Sequence, residues 1–231
     1  MLQRATLESA AQSRPLPAAL QDFIRSAEFP CVGAKAALAR DSIEIFEGES
    51  LISSFSDARL HDRLARFGAA LDLETALIQS FAAVFAGPRD LDERGFEKAM
   101  WARLAALHDI DDRKGIEWAE GVESDPASPD FSMSIAGQAF FVVGLHPNAS
   151  RAARRFAYPT LIFNSHLQFE QLREDGRYEL MQTKIRERDT ELDGGINPML
   201  DNFGDTSEAR QYSGREVGEG WKCPFRPNTA K

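Results

Sequence analysis

The sequence predicts an α+β fold: a small, largely antiparallel β-sheet covered by helices, ending in a long irregular C-terminal segment. Three observations point there. Short apolar or alternating runs bounded by turn residues recur along the chain, strongly patterned helical stretches separate them, and one pair of runs is joined by the tight-turn sequence Ala136-Gly137-Gln138. A chain of 231 residues suits one domain spanning 1–231, and 43% hydrophobic residues, with 16 Phe against 3 Tyr, can furnish a dry core or an apolar pocket.

Taken in order, residues 1–17 are small, polar and proline-punctuated, and read as a loosely held arm. Leu20, Phe23, Ile24 and Ala27 then recur at helical spacing, and CVGAKAALAR adds a further helical turn or two. In DSIEIFEG, Ile43 and Ile45 alternate with Ser42 and Glu44, which predicts a short strand ending at Gly48. A helix follows from about Ser54 to Ala70, with Phe55, Leu60, Leu64 and Phe67 available to the core. IQSFAAVFAGP is brief, apolar and closed by Gly-Pro, so it reads as a buried strand. DLDERGFEKAMWARLAALHDIDD is the strongest helix, acidic at its start and carrying Phe96, Met100, Leu104 and Leu107 on one face.

The charged, turn-rich residues 111–130 lead to a hairpin, FSMSIAGQAFFVVGL, whose turn is AGQ. YPTLIFN is another strand, and NSHLQFEQLRE a helix that Asn164 or Ser165 could cap. RYELMQTKIRERDTEL is an amphipathic helix through Leu180, Ile185 and Leu192. From Gly194 onward Gly, Asn, Asp and Ser dominate, with aromatics interspersed. Irregular segments of that length are functional or disordered, and the aromatics favour function.

A net charge of −9 argues against a general nucleic-acid binder and suits a cationic substrate. Two cysteines make no disulfide framework, no charged-then-apolar leader opens the chain and no apolar run is long enough to span a membrane, so a reduced, cytoplasmic protein is expected. There is no Gly-rich phosphate loop, His-Glu-x-x-His, Cys-x-x-Cys or nucleophile elbow.

The residues that could carry chemistry are therefore weighed singly. His61 and His108 lie on amphipathic helices beside Asp62 and Asp109, and read as surface or half-buried helical histidines. His146 ends an apolar strand, where Pro147 stiffens the corner, and either lines a cleft or bonds the turn. His166 begins a helix between Phe163 and Phe169; its imidazole either ligates a metal or packs. Arg151, Arg154 and Arg155 stand at helical spacing, so at least two would share a face able to grip carboxylates, in a stretch poor in acids. Cys31 reads as a small buried hydrophobe, whereas Cys223, beside Trp221 and Pro224 in a loop, could be a thiolate ligand.

FPCVGAKAALAR, FFVVGLHPNASRAARRFAYPTLIFNSHLQFE, IRERD, GGINPMLDNFGDTSEARQYSGR and WKCPF, in this order and spacing, resemble the YqcI/YcgG family over roughly residues 29–225. The resemblance implies a haem-dependent monooxygenase that N-hydroxylates a guanidino group, on arginine or a related small cationic compound, using O2 and an external electron donor or reductase. It implies haem b, held through its propionates by Arg151, Arg154 and Arg155. The iron ligand expected is His146, with His166 and Cys223 as alternatives, and the other histidine free to line the distal side. For the guanidino or amine substrate, Asn197, Asp201, Asp205, Glu208, Tyr212 and Trp221 are the candidates, with Glu208 also a catalytic candidate. Gly195 stands where the family pattern leads one to expect Ser. A haem sensor or carrier without turnover, and a non-haem iron protein using two histidines and an acid, are the competing expectations. Homodimerisation is left open.

Overall fold

The computed structural model describes residues 15–74, 78–195, 197–199 and 201–227. Of the arm expected over residues 1–17, residues 1–14 lie outside the described residues, while Leu16 and Pro17 already belong to the first helix. The elements run α1 (Leu16–Arg25), α2 (Val32–Ala39), β1 (Ile43–Ser50), α3 (Asp57–Ala69), β2 (Ser80–Gly87) and α4 (Glu93–Lys114). After them come β3 (Met133–Ile135), β4 (Gln138–Leu145), β5 (Thr160–Ser165), α5 (His166–Glu174) and α6 (Arg177–Asp193). The strands form one mixed sheet in the order β1-β2-β5-β4-β3. The β1–β2 pairing is parallel, because α3 carries the chain back between them, and the other three pairings are antiparallel.

Strand alternation divides the core in two. Phe46, Phe81, Phe85, Phe140 and Phe163 point to one face, where Leu60, Leu64 and Phe67 of α3 and Phe96, Met100 and Leu104 of α4 cover them. Ala82, Val84, Val143, Leu145 and Ile162 point to the other, towards Leu20 and Ile24 of α1 and Ala34 and Leu38 of α2. Large rings fill the first face, whereas short aliphatic side chains line the second and leave room beneath its helices.

Local chemistry sets the element ends. Asp92 caps α4 by accepting from Gly95 N at 2.7 Å, and Gly115 closes that helix in the left-handed region. Ser165, not Asn164, caps α5 by accepting from Gln168 N; Asn164 instead accepts from the Ser80 hydroxyl across β2 and β5. The hairpin turn is the two-residue pair Ala136-Gly137, both at positive φ, and Gln138 already begins β4. Its first N–H donates to Asp111 Oδ2 at 2.8 Å. β3 is shorter than expected, and Phe131 lies outside it. The outer edge of β4 beyond β3 is met by the C-terminal segment, with Gly144 N donating to Tyr212 O at 2.7 Å. That segment holds one 3₁₀ turn, Glu208–Arg210, and is tied to α4 where Arg215 pairs with Glu97 at 2.6 Å.

His61 and His108 depart from their expected exposure: both are buried. Neither adjoining acid partners His61, whose Nε2 lies 2.6 Å from Asp111 Oδ1 once α3 packs on α4. Among the described residues no helix is long and apolar enough to cross a membrane.

Candidate functional site

The chain from His146 to Phe156 does not form the helix that would align the arginines. It makes a single 3₁₀ turn, Ala152–Arg154, and the guanidinium groups diverge. Arg155 turns back on its own loop, donating to Ala149 O at 2.8 Å and Ser150 O at 2.6 Å. Arg151 reaches α6, where it pairs with Asp189 at 2.7 Å and lies 3.4 Å from Asp193. Arg154 is buried, and its guanidinium donates to three main-chain carbonyls, Gly144 O at 3.1 Å, Tyr212 O at 3.4 Å and Gln211 O at 3.3 Å. These partners are neutral, and no carboxylate lies within ion-pair distance of Arg154 among the described residues. Burial pulls its pKa down to about 10, so it remains a cation at neutral pH.

Arg151 and Arg154 border a cavity of about 260 Å³ between the aliphatic face of the sheet and α1, α2 and α6. Its walls are mostly Leu, Ile, Val and Phe, including Leu20, Ile24, Val143 and Ile162, with Cys31, Asn164, Asp189 and Asn197 as polar points. Cys31 caps α2, its Sγ accepting from Ala34 N at 3.4 Å. Burial pushes the thiol up from its ordinary range, against the opposing pull of the Ala34 and Gly33 N–H groups and the Arg154 charge. Gly33 admits the close approach of Ile78 and Met181: a Cβ there would stand 2.7 Å from Ile78 Cδ1 and 2.9 Å from Met181 Sδ.

A second cavity, of about 150 Å³, shares Phe141, Phe169, Met181 and Ile185 with the first as a common wall. His166 opens onto it from the first turn of α5, its ring 4.5 Å from that of Phe203, and burial lowers its pKa so that the imidazole is neutral at pH 7. Glu208, Asp201, Arg173 and Arg186 also line it. Glu208 is buried and hydrogen-bonded to the Tyr212 hydroxyl, and burial pushes its carboxyl up to about 8.

His146 lies elsewhere. Strand alternation sends its ring to the α4 face, where it stacks on Phe96 with centroids 4.3 Å apart and planes at 17°, and it lines neither cavity. Burial brings its pKa down to about 4, and Nδ1 has no hydrogen-bond partner. Cys223 and Trp221 border a separate open groove of about 1000 Å³, which Asp201 also reaches. Burial pushes the Cys223 thiol up to about 12. Asp205 is exposed and accepts from Asn202 at 3.2 Å, and Asn197 accepts from Met199 N at 3.0 Å. Tyr212 is wholly buried, its ring stacked on Trp101.

The site therefore joins Arg151, Arg154 and Asn197 around the larger cavity, and His166, Asp201 and Glu208 around the smaller. It adds Cys31 and Asp189, which residue-by-residue reading left out of the site although each belongs to a block that carries the family likeness, FPC and IRERD.

The sequence profile of the YqcI/YcgG family matches residues 20–226. The chain belongs to the YqcI/YcgG family. No curated protein and no solved structure matches it. The matched span takes in every element of the fold except the start of α1.

Proposed function

We propose that this YqcI/YcgG family member is a haem-dependent monooxygenase that N-hydroxylates a guanidino group of arginine or a related small cation. One observation carries the reading. The buried Arg154 guanidinium, held by three neutral carbonyls with no carboxylate at ion-pair distance among the described residues, faces a cavity whose walls are mostly aliphatic or aromatic. A flat apolar ligand with carboxylates at one edge suits that combination, because its body replaces water on the apolar walls while its anionic edge meets the fixed charge.

The residues present fit haem. Arg154 and Arg151 would meet the propionates. Cys31 would supply the iron ligand, since its sulfur lines the same cavity at the start of α2; burial keeps the free thiol protonated, and it would give up that proton on binding the iron. Bound haem supplies oxygen activation and accepts electrons from an external donor. Among the described residues no three side chains of His, Cys, Asp or Glu converge as a bare iron site would require.

The chain's own groups divide the remaining work. The shared wall of Phe141, Phe169, Met181 and Ile185 separates the two cavities with apolar side chains, of which Met181 is the most adaptable. His166 presents a neutral imidazole, and Asp201 and Glu208 present carboxyl groups to a guanidino ligand, while Arg173 and Arg186 suit a carboxylate at the ligand's other end. Both cysteines are free thiols, as the reducing cytoplasm would keep them.

The test is to load the protein with haem, supply O2, an artificial electron donor and L-arginine, and analyse the product by mass spectrometry. The expected product gains one oxygen atom on a guanidino nitrogen. Haem uptake without any oxygenated guanidino product across a panel of guanidines and amines would overturn the activity. Failure to bind haem would overturn the cofactor.

A further inference from the structure

The Tyr212 hydroxyl has more partners than protons. It lies 3.2 Å from Met133 N and 3.0 Å from Phe140 O, and it contacts Glu208 Oε1. Met133 and Phe140 are partners in the β3–β4 register, so the hydroxyl bridges two strands. A main-chain N–H can only donate and a carbonyl can only accept. With the Met133 N–H on one lone pair, a phenolic proton given to Glu208 leaves Phe140 O without this donor. Given to Phe140 O, it leaves the other lone pair facing Glu208, and that contact is then a hydrogen bond when Glu208 brings the proton.

The surroundings favour the same state. Glu208 and Tyr212 are buried, and no cation lies within ion-pair distance of Glu208 among the described residues. An ionised carboxylate there would be only partly offset by the Tyr212 and Ser132 hydroxyls and the Arg173 charge, and burial outweighs them. The charged and titratable groups lining the cavity beside Glu208 are His166 and Arg173 of α5, Tyr178 and Arg186 of α6, and Asp201 of the C-terminal segment. Arg173 is already paired with Glu170.

We propose that Glu208 rests as a neutral carboxylic acid donating to Tyr212, and that a guanidinium entering the adjoining cavity binds in exchange for this proton. The guanidinium supplies the missing counter-charge, the Glu208 O–H bond breaks, and the proton leaves to solvent. Substrate capture is thereby coupled to proton release. The exchange rests on the guanidino reading above, whereas the resting state of Glu208 does not.

Two measurements separate them. First, the stability of wild type and Glu208→Gln is followed by denaturant unfolding from pH 5 to 8. A carboxyl whose folded pKa is raised keeps its proton while the unfolded chain has lost it, so the stability of wild type relative to Glu208→Gln should fall across this window by the equivalent of one proton. Glu208→Gln, whose amide still donates to Tyr212, should fold normally and lose that component. Equal slopes in the two proteins would overturn the resting state.

Second, L-arginine binding to the haem-loaded protein is followed by calorimetry in buffers of different ionisation enthalpy. Below pH 7 its guanidinium, carboxylate and α-amino charges are all constant, so pH dependence there reports the protein. Affinity should rise about tenfold per pH unit below 7 with release of one proton, and should be weak and independent of pH in Glu208→Gln. Proton-silent binding in wild type would overturn the exchange. Absence of arginine binding at every pH, with the stability slope intact, would overturn the exchange through the guanidino reading while upholding the neutral Glu208.

Discussion

On the face of the sheet covered by α3 and α4, Phe81, Phe85, Phe140 and Phe163 are fully buried, and even a histidine, His146, is used as a flat ring to pack on Phe96. On the face covered by α1, α2, α5 and α6, the same strands present Val143, Ile162 and Leu145, and two cavities of about 260 and 150 Å³ remain. One sheet thus carries stability on one side and the candidate site on the other. The strand period makes the division possible, because neighbouring residues face opposite layers and can be chosen separately.

The largest expected effect comes from breaking the dry face. Phe96→Ala, which removes the ring under His146 and opposite Gly144, should cost about 3–5 kcal/mol in urea unfolding while the folded fraction still takes up haem. A matching loss of haem would mean that the faces are not separable.

Acid titration should expose the next difference. With a folded pKa near 4 against 6.5 in the unfolded chain, His146 binds its proton more readily once unfolded, so its contribution is complete above pH 6.5 and is lost as pH falls to about 4. The loss should reach about 3 kcal/mol, and His146→Phe should remove it. Glu208 acts with the opposite sign, since its raised pKa lowers stability as pH rises from about 4.5 to 8. The two substitutions should therefore tilt the pH–stability profile in opposite directions, and a shared tilt would contradict the assignment of either group.

Filling the cavity sharpens the comparison from the other side. Val143→Phe places a ring where the aliphatic face leaves space, so stability should change by no more than about 1 kcal/mol, whereas haem retention should be lost. The smallest effect is expected at Arg155, whose bonds are confined to Ala149 and Ser150. Arg155→Ala should cost under about 1 kcal/mol and leave haem uptake unchanged, while Arg154→Ala should abolish it.

Most of this division is written in local patterns. The apolar run closed by Gly-Pro, the acidic start of DLDERGFEKAM and the Ala-Gly-Gln turn place strands and the longest helix without further information. The β1–β2 pairing is parallel because of where α3 packs, which no local pattern specifies. For the site, His166, Arg151, Arg154, Asp201 and Glu208 are legible as chemistry-bearing residues, but their grouping is not. The helical spacing of the arginines misleads because the chain makes only a 3₁₀ turn there, so Arg155 falls away from the other two. His146 ends a strand as expected, but the parity of β4 sends its ring to the side without a cavity. Cys31 reads as a small apolar residue until the fold brings its sulfur, more than a hundred positions away in sequence, into the cavity bordered by Arg154.

The measurement that bears most directly on the central claim is the absorption spectrum of the haem-loaded protein, reduced under carbon monoxide, for wild type and Cys31→Ser. The account predicts stoichiometric haem with a thiolate-type ferrous-CO band that Cys31→Ser abolishes. An imidazole-type band that disappears with His166→Ala would move the iron ligand to the second cavity. A protein that takes up no haem would contradict the account altogether.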